Sequence, residues 1–300
     1  YNRKTTDLLL EYPMAISLGF PGYYANVGSI VNRGFDITLG ADIVTTRDWR
    51  WNVSVMGSTL KNKVLKLTDN GEDIINGVYI IREGQEINTF YMSKSAGVDP
   101  TTGEQLYWAY EKNPDGSMKP GSEYVTNDAT VAAGCKYLQG SRIPDIYGSI
   151  SSSLKFRGFD LGLLFTYSLG GKIYDSIYNA MMEPSFVGQT YHRNALRTWT
   201  APGQRTDVPR TTTTASTQIT DRYLVDASYF AVKNISLGYS LPKRLLGKVG
   251  IESLRVYLAA DSPWTFTHLK GMNPQASFTG STSYSYTPNR TFTLGVDLKF

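Results

Sequence analysis

The residues able to do acid–base or metal chemistry are few in this chain of 300 residues, and their spacing argues against both. The only histidines, His192 and His268, stand far apart, and neither has a second His, Cys or acid at metal-ligand spacing. Asp69-Asn-Gly-Glu-Asp73 opens like a calcium loop but has no acid at the twelfth position, so Asn70-Gly71 reads as a hairpin tip. Asp99-Pro-Thr-Thr-Gly103 and Asn113-Pro-Asp-Gly116 are turn chemistry. No Gly-x-Ser-x-Gly elbow and no phosphate-cradling glycine loop occurs. Glycoside hydrolysis would need paired carboxylates, and the nearest pairs are Glu72/Asp73, Glu83/Glu86 and Asp207/Asp221. All of these lie in loop contexts where solvated charge is the default. The single cysteine, Cys135, excludes an internal disulfide and reads as structural filler. No catalytic residue, metal or cofactor is expected.

Aromatic side chains are the chemistry that remains. Tyr107, Trp108, Tyr110, Tyr191, Trp199, Trp264, Tyr284 and Tyr286 fall in predicted connections, where rings stack on sugars or pack a peptide. Trp108, Tyr191 and Trp264 are the candidate substrate-binding residues, and the others read as loop packing. Asn52, Asn234 and Asn289 begin Asn-x-Ser/Thr sequons, but the first two fall inside predicted strands.

The elements that must carry these rings are strands. The last ten residues place Phe292, Leu294, Val296, Leu298 and Phe300 on one face and Thr291, Thr293, Gly295, Asp297 and Lys299 on the other. Gly34–Ile43, Trp51–Leu60, Tyr147–Phe156, Phe159–Ser168, Ile235–Leu241 and Leu254–Ala260 repeat the division. Short turns are expected at Arg47-Asp48 and Arg157-Gly158. Long connections are expected at roughly 112–146, 170–227 and 262–289. Asp36, Asp42, Lys155, Asp160, Asp297 and Lys299 all fall on the polar face. A cation on a lipid face costs about 2–4 kcal/mol at mid-bilayer, which fixes the register.

No run of apolar residues is long enough for a membrane helix, although 41% of residues are hydrophobic and the mean hydropathy is -0.26. Strands escape that test because half their positions are polar. The 21 tyrosines, 12 phenylalanines and 5 tryptophans suit aromatic girdles at two membrane interfaces. A net charge of +4 is scattered, with Lys243-Arg244-Leu-Leu-Gly-Lys248 its longest cluster, so no nucleic-acid groove is expected. The fold class expected is all-β: part of a large antiparallel transmembrane barrel with short periplasmic turns and long extracellular loops. A β-sandwich is the competing architecture, and burial of the terminal apolar face against a second sheet would identify it.

Several segments resemble the SusC/RagA-type TonB-linked outer-membrane transporters of Bacteroidetes. Lys4-Thr-Thr-Asp-Leu-Leu-Leu10 resembles the family's strand exit, and Asn26-Val-Gly-Ser-Ile-Val-Asn-Arg-Gly-Phe-Asp-Ile37 resembles its strand entry. Ala96-Gly-Val-Asp-Pro-Thr-Thr-Gly103 and Trp199-Thr-Ala-Pro-Gly-Gln-Arg-Thr-Asp-Val-Pro-Arg210 resemble two of its loop motifs. Asp226-Ala-Ser-Tyr-Phe-Ala-Val-Lys-Asn-Ile-Ser-Leu-Gly-Tyr-Ser-Leu-Pro242 resembles a strand motif. Gly271-Met-Asn-Pro-Gln275 stands where the family often has two carboxylates, so cation binding there is not expected. The resemblance implies the C-terminal part of a single TonB-dependent receptor barrel of about 22 strands. The N-terminal plug and signal peptide are expected to be absent from residues 1–300. It further implies a SusD-like surface lipoprotein as lid, energy from TonB-ExbB-ExbD through the missing part, and oligosaccharides or peptides as cargo. The chain would then sit in the cell outer membrane, in contact with its lipid. Phe292, Leu294, Gly295, Leu298 and Phe300 would form the barrel-assembly signal. The alternative function is a secreted or surface-tethered glycan-binding β-protein without transport.

Overall fold

Alternation of period two fixes the main element, because it gives each strand one face that water rejects. The computed structural model describes residues 1–14, 17, 19, 22–26, 28–67, 71–87, 89–182, 190–211, 218–246, 250–269, 273–275, 281 and 288–300. The order begins β1 (Asn2–Thr6), β2 (Leu9–Pro13), β3 (Gly22–Asn26), β4 (Ser29–Arg33), then a hairpin of β5 (Asp36–Thr45) and β6 (Trp49–Ser58). A connection carries β7 (Lys61–Lys66), β8 (Ile74–Asn76), β9 (Tyr79–Ile81), β10 (Thr89–Val98), β11 (Gln105–Ala109), β12 (Tyr124–Thr126), α1 (Ala129–Gly134) and β13 (Lys136–Ser141). A second hairpin, β14 (Ile146–Phe156) and β15 (Phe159–Leu169), leads to β16 (Lys172–Tyr174), α2 (Ser176–Met182) and β17 (Leu224–Asp226). Then come β18 (Tyr229–Ser240), α3 (Lys243–Leu246), β19 (Ser253–Thr267) and β20 (Thr291–Lys299).

A seven-stranded antiparallel sheet of order β20-β19-β18-β15-β14-β6-β5 forms the wall. Both expected short turns are present. Thr46 N donates to Trp49 O at 2.8 Å between β5 and β6. Arg157 and Gly158 have φ of 45° and 96°, the paired positive values of a type I′ turn. Among the described residues the sheet does not close on itself, and β5 and β20 are its edges.

The terminal apolar face is not packed on a second sheet. Phe292 is 74% exposed, Leu294 71%, Val296 56% and Phe300 85%, which excludes the sandwich. Across the ladder Leu294 stands opposite Leu258, Leu258 opposite Leu237, Leu237 opposite Leu161, and Leu161 opposite Leu154. One continuous apolar surface results, larger than a water-facing domain tolerates. Aromatic rings bound it at both ends. Near the short turns Trp49 stacks on Phe156 (centroids 4.0 Å apart), and Phe159 and Tyr239 meet at a tilt (4.5 Å). At the opposite end Phe165, Phe230 and Phe266 follow one another at 5.5 and 6.5 Å.

The polar face is held by paired charges and amides. Asn52 donates to Asp42 at 2.9 Å and Asn234 to Asp261 at 2.7 Å, so those sequon asparagines serve the sheet. Arg255 grips Asp160 through both Nε (3.0 Å) and an Nη (2.6 Å) and reaches Asp297 at 3.2 Å. Gly295 admits the Tyr257 ring opposite it, since a Cβ there would overlap that ring. Arg255→Leu is expected to destabilise the wall by about 1.5–3 kcal/mol, because it strands two carboxylates. Arg255→Lys should recover less than half of that, lacking the bidentate fork. Urea titration of the complete protein in lipid vesicles measures both.

Three expectations change. β19 continues through Ser262–Thr267, where a loop was expected. Ser262, at φ 49°, and Pro263 pass the strand across an irregularity opposite Lys233 in β18. A proline inside a strand erases the local signal because it cannot donate to the ladder. The connections at 112–146 and 170–227 are not bare loops, since they carry strands, α1 and α2. The first reaches further than expected, because everything between β6 and β14 belongs to it. Residues 69 and 70 of the proposed Asn70-Gly71 tip lie outside the described residues, as do Tyr284 and Tyr286.

Candidate functional site

Beyond the wall, the connections build a cap with its own core. Phe90 and Met92 of β10 pack with Tyr174, Met182, Val208 and Tyr223, all buried. β10 pairs with β9, β11 and β13, which satisfies its backbone and lets apolar side chains close on one side. The Asp221 carboxylate accepts the Ser95 N–H at 2.8 Å, and burial holds its pKa above the usual carboxylate range. Asp128 caps α1, accepting from Thr130 N (2.7 Å) and Val131 N (3.2 Å). The Cys135 thiol is buried and donates to Tyr110 O at 3.4 Å, the structural role its isolation suggested.

The two loop motifs, far apart in sequence, interlock in this cap. Asp99 accepts from Thr101 N (2.7 Å) and Thr102 Oγ1 (3.1 Å), and these bonds hold its pKa below the ordinary value. The turn they fix ends on Gly103 at φ 72°. Trp199 lies against Gly103, and its Nε1 donates to Pro100 O at 2.9 Å. Arg210 closes the clamp, N to Gly103 O at 2.8 Å and Nη2 to Glu104 Oε1 at 2.9 Å. Sequence reasoning named both motifs but not their contact. Nothing local in either stretch marks the other.

The candidate stacking residues are not brought together. Trp108 lies on β11, half-buried, with Lys94 Nζ 5.4 Å from its ring centroid. Tyr191 is exposed in the connection after α2. Trp264 was expected in a loop and instead lies on β19 opposite Val232, which faces Phe165 on the apolar side. Its ring therefore joins the aromatic band of Phe230 and Phe266, not the polar face.

Several groups considered for catalysis have structural partners. His192 Nδ1 accepts Asn194 N at 3.1 Å and its ring meets Tyr178 edge-on at 4.8 Å. Asp73 is gripped by Arg82 at 2.6 Å and Asp207 by Arg197 at 3.0 Å. Glu83 accepts the Leu67 N–H at 3.0 Å. Among the described residues no three His, Cys, Asp or Glu side chains gather to hold a metal.

No protein-family model matches the chain. The whole chain is 28% identical to the TonB-dependent receptor P3 of Formosa agariphila, covering 32% of it. It is 24% identical, again over its whole length, to the TonB-dependent receptor SusC of Bacteroides thetaiotaomicron, covering 29% of that protein. It superposes over its full length on a chain of the RagAB peptide transporter with a TM-score of 0.86 and 28% identity, covering 32% of that chain. The chain fits the barrel portion of the SusC/RagA family of TonB-dependent receptors. It spans about a third of the length of the relatives it matches. Barrels of this type turn an apolar face to lipid and set aromatic bands at its two interfaces, and the wall has both features. The short turns at Arg157-Gly158 and after Thr45 are the periplasmic kind, and the cap stands at the extracellular end.

Proposed function

We propose that residues 1–300 form the C-terminal part of one outer-membrane barrel domain, in a protein that imports large nutrients by TonB-dependent transport. The observation that carries this reading is the bare apolar wall of a sheet similar throughout to SusC and RagAB chains. Open edges on β5 and β20 cannot be left unpaired in lipid, so further strands outside residues 1–300 complete the ring. The cargo is an oligosaccharide or a peptide. His192 caps a helical turn and Asp73 and Asp207 are held in ion pairs, which are structural roles and not catalytic ones. A SusD-like lipoprotein covers the extracellular cap, and TonB-ExbB-ExbD supplies energy through segments outside this chain. Trp108 and Tyr191 are the side chains offered to cargo, while Trp264 anchors the wall at the interface.

Deletion of the gene in its native Gram-negative host tests the reading. Growth on one class of oligosaccharide or on peptides as sole source should be lost, and restored by the wild-type gene only when TonB is present. Unchanged growth and unchanged uptake of labelled glycans and peptides would reject transport and favour a surface glycan-binding role.

A further inference from the structure

β19 outruns its partner at the extracellular end of the wall. Asp261 faces Thr291, the first residue of β20, and residues 262–267 of β19 continue beyond it. Into the step come Asn273, Gln275 and Arg290 from the β19–β20 connection and Lys233 from β18. With Thr265 and Thr267 they line a cleft of about 280 Å³. Thr265 and Thr267 flank Phe266, whose ring lies on the apolar side, so they address the cleft from the polar side. The Asn273 side-chain oxygen accepts the Gln275 N–H at 3.1 Å, leaving the amide's NH₂ as donor.

The charge of this cleft is one-sided. Neither Lys233 nor Arg290 takes part in an ion pair among the described residues. The sequence from Ser262 to Val296 contains no Asp or Glu at all. A second cleft, beside β16, has the opposite character, with Glu86, Asp145 and Asp226 around Lys172. Among the described residues lining this recess, two cations and two amides supply donors and none is an anion. An arginine fork matches a planar oxyanion, and a recess strengthens the attraction relative to open water.

We infer that this cleft is a subsite for an oxyanion, a carboxylate or sulfate, carried by the incoming nutrient. The inference rests on the import reading only for the origin of the ligand. The complete receptor, purified from outer membranes, is titrated calorimetrically with trigalacturonate against maltotriose, and with a glutamate-rich pentapeptide against its glutamine counterpart. The charged member of one pair should bind roughly tenfold or more tightly, with a preference that fades as salt rises. The pair that discriminates identifies glycan or peptide as the source. Lys233→Met with Arg290→Gln should abolish the preference. So should Asn273→Asp with Gln275→Glu, which neutralises the cleft without removing either cation and leaves the wall unchanged. Equal binding within both pairs overturns the subsite, as does a preference that survives both double variants. Binding without any uptake in the host rejects the import reading alone.

Discussion

Leu294→Arg is expected to cost the folded protein about 2–4 kcal/mol in a bilayer, while Thr293→Arg, its neighbour in the chain, costs under ~0.5 kcal/mol. Leu294 is 71% exposed and sits in the middle of β20, opposite Leu258. If water covered that face, an exposed leucine would be replaced almost without effect, because surface substitutions rarely move stability by more than a few tenths. If lipid covers it, the guanidinium must be desolvated, must snorkel to the interface, or must thin the bilayer. Thr293 points to the polar face, where its arginine meets water or polar groups. Urea titration of the complete receptor folded into vesicles measures the difference. Equal effects of the two substitutions would remove the membrane from the account of this fold. The same contrast should appear between Leu258→Arg and Ala259→Arg on β19, since Leu258 and Leu294 are cross-strand partners.

Gly103→Val is expected to open the clamp of the cap, with a cost of about 2–5 kcal/mol, the sum of a left-handed backbone penalty and overpacking. Gly103 holds φ at 72°, and a Cβ there would overlap the Trp199 ring. The two faults act at one position: the backbone leaves the left-handed region and the side chain displaces the ring. Arg210 then loses the Gly103 carbonyl it now bonds at 2.8 Å. Hydrogen exchange should show the Arg210 and Gly203 amides losing protection, with the wall amides of β15 and β18 unchanged. Trp199→Ala in the same chain should return part of the loss by removing the overlap, though not the backbone strain. A double-mutant cycle separates the two contributions. Identical exchange at Arg210 in wild type and variant would sink the clamp as a unit of stability.

The sequence alone determined the wall. Period-two alternation is a local property, and each strand shows it without knowing its neighbours, as Phe292 to Phe300 does against Thr291 to Lys299. It also determined both short turns, because Arg157-Gly158 sits between runs whose alternation reverses around it. Only the tertiary structure decided what the connections do. Trp199 bonds Pro100 across 99 residues, and closing so long a loop costs little more than closing a short one, so neither motif bears a mark of the other. The continuation of β19 past Pro263 was hidden for the same kind of reason. A missing N–H ends a local pattern, while the ladder on the β18 side carries on to Thr267. The cleft of Lys233 and Arg290 likewise exists only in space. Spacing in the chain gave no hint of it, since charge acts through distance and β19 alone brings those two cations to one recess.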